Sequence, residues 1–283
     1  MHRFERPDSI AGAARLLASG SWTVLAGGTD VYPAHVGRPL AAPVIDITAI
    51  ASLRGIVRAD DGGWRIGATT TWTDVIRADL PPLFDALKAA AREVGGVQIQ
   101  NTGTVAGNLC NASPAADGVP ALLALDARVV LQSAQGAREV ALEQFVLGNR
   151  RTARTADELV IAVRVPARGE NARSAFIKLG GRRYLTISMT MVAVAIDVDA
   201  AGRIAHAGVA VGSCSAAARR LPALEARLLG ATAAADLATR VDASDLAPLT
   251  PIDDLRASAV YRRDATLTLL RRALRLLGDE VPA

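Results

Sequence analysis

Leu25-Ala26-Gly27-Gly28-Thr29-Asp30 and, some seventy residues on, Asn101-Thr102-Gly103-Thr104-Val105-Ala106-Gly107-Asn108 decide how this chain folds and what it holds. The first stretch follows Trp22-Thr23-Val24-Leu25, an apolar run that reads as a buried strand delivering the chain into a glycine turn. The second is followed by Ser113-Pro114 and Asp117. Both are rich in Gly, Thr and Asn. Loops of this kind expose backbone N–H groups and short hydroxyls, which suits them to a phosphate. Two in one fold point to a ligand with a pyrophosphate, gripped from both sides.

Working outward, Asp8 and Ser9 can cap a helix over about Ile10 to Ala18, with Ile10, Ala13, Ala14 and Leu17 on one face and Gly20 as the stop. Val44-Ile45-Asp46-Ile47 is a second strand. This opening is βαβ-like, yet Gly-x-Gly-x-x-Gly does not follow the first strand, so a nicotinamide-binding Rossmann unit is rejected. Gly63 to Ala68 is strand-like, with Thr71 or Thr73 as cap of a short helix after it. Pro81-Pro82 opens a helix over about Leu83 to Val94, closed by Gly95-Gly96. The glycine loop comes next, then a helical turn over Pro120 to Leu125. Arg128 to Leu131 and Glu139 to Leu142 form a strand pair, and Glu158 to Val165 is another strand. The polar Arg168-Gly169-Glu170-Asn171 marks a domain boundary. Beyond it, Ser188 to Asp197 and Ile204 to Val211 flank a hairpin at Asp199 to Gly202, and a last helix covers about Leu255 to Leu277.

Composition narrows the function. At 283 residues with 51% hydrophobic and 21% charged side chains, the chain can bury a sizeable core. Aromatics at 4% leave little to stack bases, and a net charge of +4 without a basic run argues against nucleic acid. Arg262-Arg263 with Arg271, Arg272 and Arg275 reads mainly as the solvated face of the last helix, with a partner-subunit interface as the middle reading. Cys110 and Cys214 lie in no Cys-x-x-Cys motif, so no iron–sulfur or zinc site can be built from this chain, and reduced thiols are expected over a disulfide. His2, His35 and His206 are too few for a metal site. No apolar run reaches membrane-spanning length and no signal peptide precedes the first helix, so a cytoplasmic protein without membrane contact is expected. No acid–base pair or hydrolase motif stands out.

Residue by residue, Gly27, Gly28 and Thr29 would present N–H and hydroxyl donors. Asp30 is acidic beside a proposed phosphate, so it either bonds loop N–H groups or a cofactor hydroxyl, or simply caps the loop. Thr104, Gly107 and Asn108 supply three donor types within five residues, and Ser113 adds a hydroxyl. Asp117 can accept from a ribose diol or cap the following helix.

These residues resemble the FAD-binding subunit of the molybdenum hydroxylases, the family of xanthine dehydrogenase, aldehyde oxidoreductase, carbon monoxide dehydrogenase and nicotinate dehydrogenase. Ala26 to Asp30 looks like that family's first flavin loop; Thr104 to Asn108 with Ser113 to Asp117 looks like its second. Where the family usually has Gly-Gly-Asn, this chain has Ala106-Gly107-Asn108. The opening Phe4-Glu5-Arg6-Pro7, Ile66-Gly67-Ala68, Ala175 to Lys178 with Arg182-Arg183, Gly212-Ser213-Cys214-Ser215 and Tyr261-Arg262-Arg263 also have counterparts, so the likeness spans nearly the whole chain.

The resemblance implies an α+β fold. Residues 1–170 would form a two-subdomain FAD-binding domain of the vanillyl-alcohol oxidase type, divided at about residue 55. Residues 173–283 would form a smaller α/β C-terminal domain. It implies non-covalent FAD contacted by Val24, Leu25, Ala26, Gly27, Gly28, Thr29, Asp30, Gly103, Thr104, Gly107, Asn108, Ser113, Asp117, Val160 and Lys178. Lys178 would lie near the flavin ring and Val160 would pack beside it, against the alternatives of a strand-edge surface lysine and plain burial. It also implies electron transfer in a three-subunit complex. Molybdopterin would sit on a large partner and [2Fe–2S] clusters on a small one, with an acceptor such as NAD+. The rivals are a stand-alone flavin oxidoreductase and a non-redox nucleotide-binding assembly subunit.

Overall fold

The computed structural model describes residues 3–40 and 42–279, so His2 lies outside the described residues. The first sheet is three-stranded, in the order β1 (Phe4–Glu5), β3 (Val44–Asp46), β2 (Thr23–Leu25), and both pairings are parallel. The Ile10–Ala18 helix makes the crossover that parallel strands require. Ser9 caps it by accepting from the Gly12 N–H, and Ala13, Ala14 and Leu17 are its buried face, as the spacing predicts.

The second sheet is five-stranded and antiparallel. Its order is β4 (Ile56–Arg58), β5 (Trp64–Gly67), β10 (Leu159–Val165), β6 (Arg128–Gln132), β7 (Ala137–Ala141). A two-stranded ribbon, β8 (Val146–Gly148) with β9 (Arg151–Thr152), lies between β7 and β10 in the chain. The helices over Trp72–Arg77, Asp85–Glu93, Val97–Thr102, Val105–Asn111 and Gly118–Ala124 fill the interval between β5 and β6. Thr71 caps the first of them in a capping box with Asp74.

The third sheet, β11 (Arg173–Gly180), β12 (Ser188–Val198), β13 (Ile204–Gly212), β14 (Arg219–Arg220), is antiparallel throughout. Alternation along β12 sends Val192, Val194 and Ile196 into one apolar cluster and Ala193 and Ala195 into another. The first cluster is completed by the Ala259–Asp279 helix through Leu269, Leu270, Ala273, Leu274 and Leu277. The second runs on into the core of the preceding sheets. Small residues are needed on that side. A Cβ on Gly208 would stand 2.1 Å from the Ala124 carbonyl oxygen, and one on Gly212 2.8 Å from Pro120, so the Gly118–Ala124 helix lies hard against β13.

Three expectations change. Of the second glycine stretch only Gly103 and Thr104 lie outside helices. Thr104 caps the Val105–Asn111 helix, its hydroxyl accepting from the Gly107 N–H at 3.0 Å. The Val97–Thr102 helix, which takes in Asn101 and Thr102, is absent from the sequence reading, because Val97-Gln98-Ile99-Gln100 alternates like a strand. Arg262 is not on a solvated face. It is 3% exposed and its guanidinium donates to the Met189 and Ser213 carbonyls and to Asp254, while Arg263, Arg271, Arg272 and Arg275 are exposed.

Candidate functional site

The two quoted stretches meet. A Cβ on Gly27 would sit 1.9 Å from the Thr102 carbonyl oxygen, and Gly28 has φ +70, with Tyr32 packed where its Cβ would be. No side chain fits at the first position, and L residues avoid the second conformation. Asp30 ties the stretches together from the other side, accepting from the Asn111 amide at 2.8 Å. Its carboxylate makes no capping bond to the helix that follows, so the loop-capping alternative is set aside. The second stretch is pinned from below by the Thr69-Thr70-Thr71 segment. The Val105 N–H donates to Thr70 O at 2.9 Å, and the Trp72 N–H to Gly103 O at 3.1 Å.

Between them lies a cavity of about 510 Å³, within the usual range of small-molecule sites. Val24, Ala26, Gly27, Gly28, Thr29, Asp30, Gly103, Thr104, Gly107, Asn108 and Val160 all line it. Ala106, the residue that departs from the family pattern, lines it too, and is 4% exposed. Asn108 lines it as well, but its Oδ1 is turned to the Gly118 side, buried and without a hydrogen-bond partner. The Gly107 N–H, by contrast, is already used by Thr104. A glycine-walled cleft of this size with neutral donors along it fits a dinucleotide.

Four of the sequence-derived residues stand outside the lining. Leu25 is in the core, 5% exposed. The Ser113 hydroxyl accepts from the Ala115 N–H at 3.3 Å, closing a turn whose Pro114 carbonyl accepts from the Ser213 N–H at 3.0 Å. Asp117 and Lys178 meet each other, Nζ to Oδ2 at 2.9 Å, with both side chains at or below a tenth exposed. Lys178 is therefore no strand-edge surface lysine. Asp117 makes no side-chain cap; it also accepts from the Ser188 hydroxyl at 3.2 Å. Burial pushes the Asp117 carboxyl up to about 6, against the pull of Lys178.

Sequence reading missed two kinds of residue here. Trp22, Trp72 and Ile99 line the cavity as apolar wall. Arg154 also lines it, from a segment whose Arg-Thr-Ala-Arg-Thr composition gives no motif. Glu158 lines it as well, but Arg138 grips its carboxylate at 2.5 Å and, with the Thr155 N–H, holds it down to about 2 despite burial. Among the described residues, no cluster of His, Cys, Asp or Glu could hold a metal and both cysteines are free thiols. No helix among them is long and apolar enough to cross a membrane.

Residues 1–168 match the family model described as the FAD binding domain in molybdopterin dehydrogenase, and residues 174–277 match the CO dehydrogenase flavoprotein C-terminal domain. The chain is similar to the xanthine dehydrogenase FAD-binding subunit of Escherichia coli O157:H7, at 30% identity over 96% of this chain and 94% of that one. It is similar to the carbon monoxide dehydrogenase medium chain of Hydrogenophaga pseudoflava, at 30% identity over 96% of each. Its fold superposes on reconstituted CO dehydrogenase from Oligotropha carboxidovorans with a TM-score of 0.86, at 27% identity and 98% coverage of both chains. With an α+β fold of this form and a family model covering more than half its length, the chain belongs to the molybdenum hydroxylase family, as one of its FAD-binding medium subunits.

Proposed function

We propose that the cavity between the two glycine stretches holds FAD non-covalently and that the chain passes electrons from a partner's [2Fe–2S] clusters to an acceptor such as NAD+. The observation that carries this reading is the convergence of both stretches on one cavity, with Gly27, Gly28, Thr29, Gly103, Thr104, Gly107 and Asn108 all in its lining. FAD, when bound, would supply the redox chemistry. The chain's own contribution is to bind, orient and shield. Gly27, Gly28 and Thr29 of the first stretch and Asn108 of the second line the cleft together. Trp22, Trp72, Ile99 and Val160 keep water from its apolar part. Lys178 and Asp117 form a buried ion pair that braces the start of the Gly118–Ala124 helix outside the cavity lining. Residues 1–170 act as the cofactor domain and 173–283 as the domain that backs it.

Electron transfer is favoured over stand-alone substrate chemistry by the titratable groups of the cavity. Glu158 is locked to Arg138, and Asp30 is bonded to Asn111, so neither stands ready as a general base. Substrate oxidation would belong to a molybdopterin-bearing large partner. The test is the absorption spectrum of the purified chain, then acid release and chromatography of its chromophore. Released FAD supports the reading. A colourless chain that takes up no added FAD ends it. Mixing the flavin-loaded chain with a reduced [2Fe–2S] partner then tests the electron route by bleaching of the flavin band.

A further inference from the structure

The cavity has a charge imbalance that the glycine stretches do not resolve. Its acidic lining residues are Asp30 and Glu158, and among the described residues its one Lys or Arg side chain is Arg154. A dinucleotide brings a pyrophosphate dianion into this space. Neutral N–H and hydroxyl donors can hydrogen-bond it, but in a partly desolvated cleft they leave its charge uncompensated.

Arg154 is built to compensate it. Its Nη1 donates to the carbonyls of Thr155 at 3.0 Å and Glu158 at 2.7 Å, which fixes the plane of the guanidinium. Its Nε and Nη2 have no partner among the described residues. The segment bearing it is anchored on both sides of the ribbon. The Arg150 N–H donates to Ala112 O at 3.0 Å, at the end of the Val105–Asn111 helix, and the Ala153 N–H to Phe145 O at 2.9 Å. The side chain is half-buried. A guanidinium held at one nitrogen, with two donors left free, presents the fork that suits a phosphate oxygen pair. Arg138 neutralises Glu158 separately, so the Arg154 charge is not spent on that carboxylate.

We propose that Arg154 is the countercharge for the pyrophosphate of the bound dinucleotide, an inference that rests on the FAD reading of the cavity. The neutral donors of the two stretches orient the pyrophosphate, and Arg154 balances its charge.

Equilibrium binding of FAD and of riboflavin to flavin-free chain, at low and high ionic strength, tests it. Arg154→Leu is expected to weaken FAD binding by about tenfold or more, the scale of a charge-assisted fork. It should flatten the salt dependence of FAD binding and leave riboflavin, which has no phosphate, unchanged. Arg154→Lys should keep the salt dependence and recover part of the affinity. Thermal unfolding of the flavin-free variants should match the parent. Equal FAD affinity in Arg154→Leu would overturn the assignment while leaving the FAD reading intact, as would a loss shared equally by FAD and riboflavin. A parent chain that binds no FAD at all would remove both.

Discussion

Lys178 and Asp117 form an ion pair that joins β11 to the start of the Gly118–Ala124 helix, and neither side chain is more than 10% exposed. Lys178 also donates to the Glu93 carbonyl at 3.3 Å, so one ammonium ties three segments together. Removing one member leaves the other buried and unpaired, at a cost of about 3–5 kcal/mol. Lys178→Met should therefore lower the unfolding free energy by about that much near pH 8, and by less at pH 5, where Asp117 is protonated. Urea unfolding at the two pH values checks this; an equal loss at both would mean that Asp117 is not the group left behind.

The same carboxyl has a pH signature of its own. Its folded-state pKa of about 6 lies above the ordinary carboxylate value. The native chain thus binds the proton more tightly than the unfolded chain. The stability this contributes is complete below about pH 4 and is lost as pH rises through about 6. Asp117→Asn cannot titrate, so the parent should lose stability relative to that variant across this window. Glu158 runs the opposite way. Held at about 2, it contributes stability above about pH 4.5 that is lost as pH falls towards 2. Unfolding midpoints of Asp117→Asn and Glu158→Gln, measured from pH 3 to 8, should therefore diverge from the parent in opposite directions.

Gly27→Ala should be a folding lesion as well as a binding one. The Thr102 carbonyl that its methyl would strike is backbone, in a segment held by Thr70 and Trp72, so it cannot swing aside. A loss of about 2–4 kcal/mol is expected, with FAD released. A variant with parental stability and flavin content would show that the two stretches do not touch as described.

Asn108→Ala should behave differently. Oδ1 has no partner in the chain, so its removal costs the empty protein little, within about 0.5 kcal/mol. FAD affinity should drop by about tenfold. Thermal unfolding and flavin titration of one preparation separate the two effects; a large stability loss with unchanged affinity would contradict the assignment.

Asp126 sits in a left-handed turn, φ +53, and accepts from Arg220 at 2.5 Å, from His206 Nε2 at 2.7 Å and from Arg168. Burial works against its charge, but the His206 bond and the Arg220 charge outweigh burial and hold the carboxyl well below the usual range. Asp126→Ala should destabilise by about 2 kcal/mol or more at pH 7, the loss fading as pH falls below the ordinary carboxylate range. Guanidinium unfolding across pH 3–7 checks it; a loss independent of pH would point to packing rather than charge.

Much of the fold was legible in the sequence. The Ser9-capped helix and the hairpin around Asp199 to Gly202 follow from caps, alternation and turn residues, and two glycine stretches rich in donors pointed to one shared ligand. What was hidden depends on contacts distant in sequence. Thr104 reads equally as a loop hydroxyl and as a helix cap, and only the following turn of helix decides. Arg262 shares a run with exposed arginines, and its burial is set by carbonyls 49 and 73 residues away. Asp117 and Lys178, each with a sensible local role, are partners because the third sheet folds back over the Gly118–Ala124 helix. Arg154 carries no motif, and its place is set by a ribbon anchored to a helix end.

The tight seat of the Gly118–Ala124 helix on Gly208 and Gly212 has a consequence for modularity. The helix, the turn at Pro114 that Ser213 holds, and the Asp117 anchor all belong to the cofactor half by sequence, yet each is completed by the other half. A cofactor unit cut free after β10 would lose the support packed behind the Gly118–Ala124 helix. The two halves therefore cannot be exchanged between relatives as independent parts: a working chimera would have to inherit both sides of the seam from one parent, glycines included.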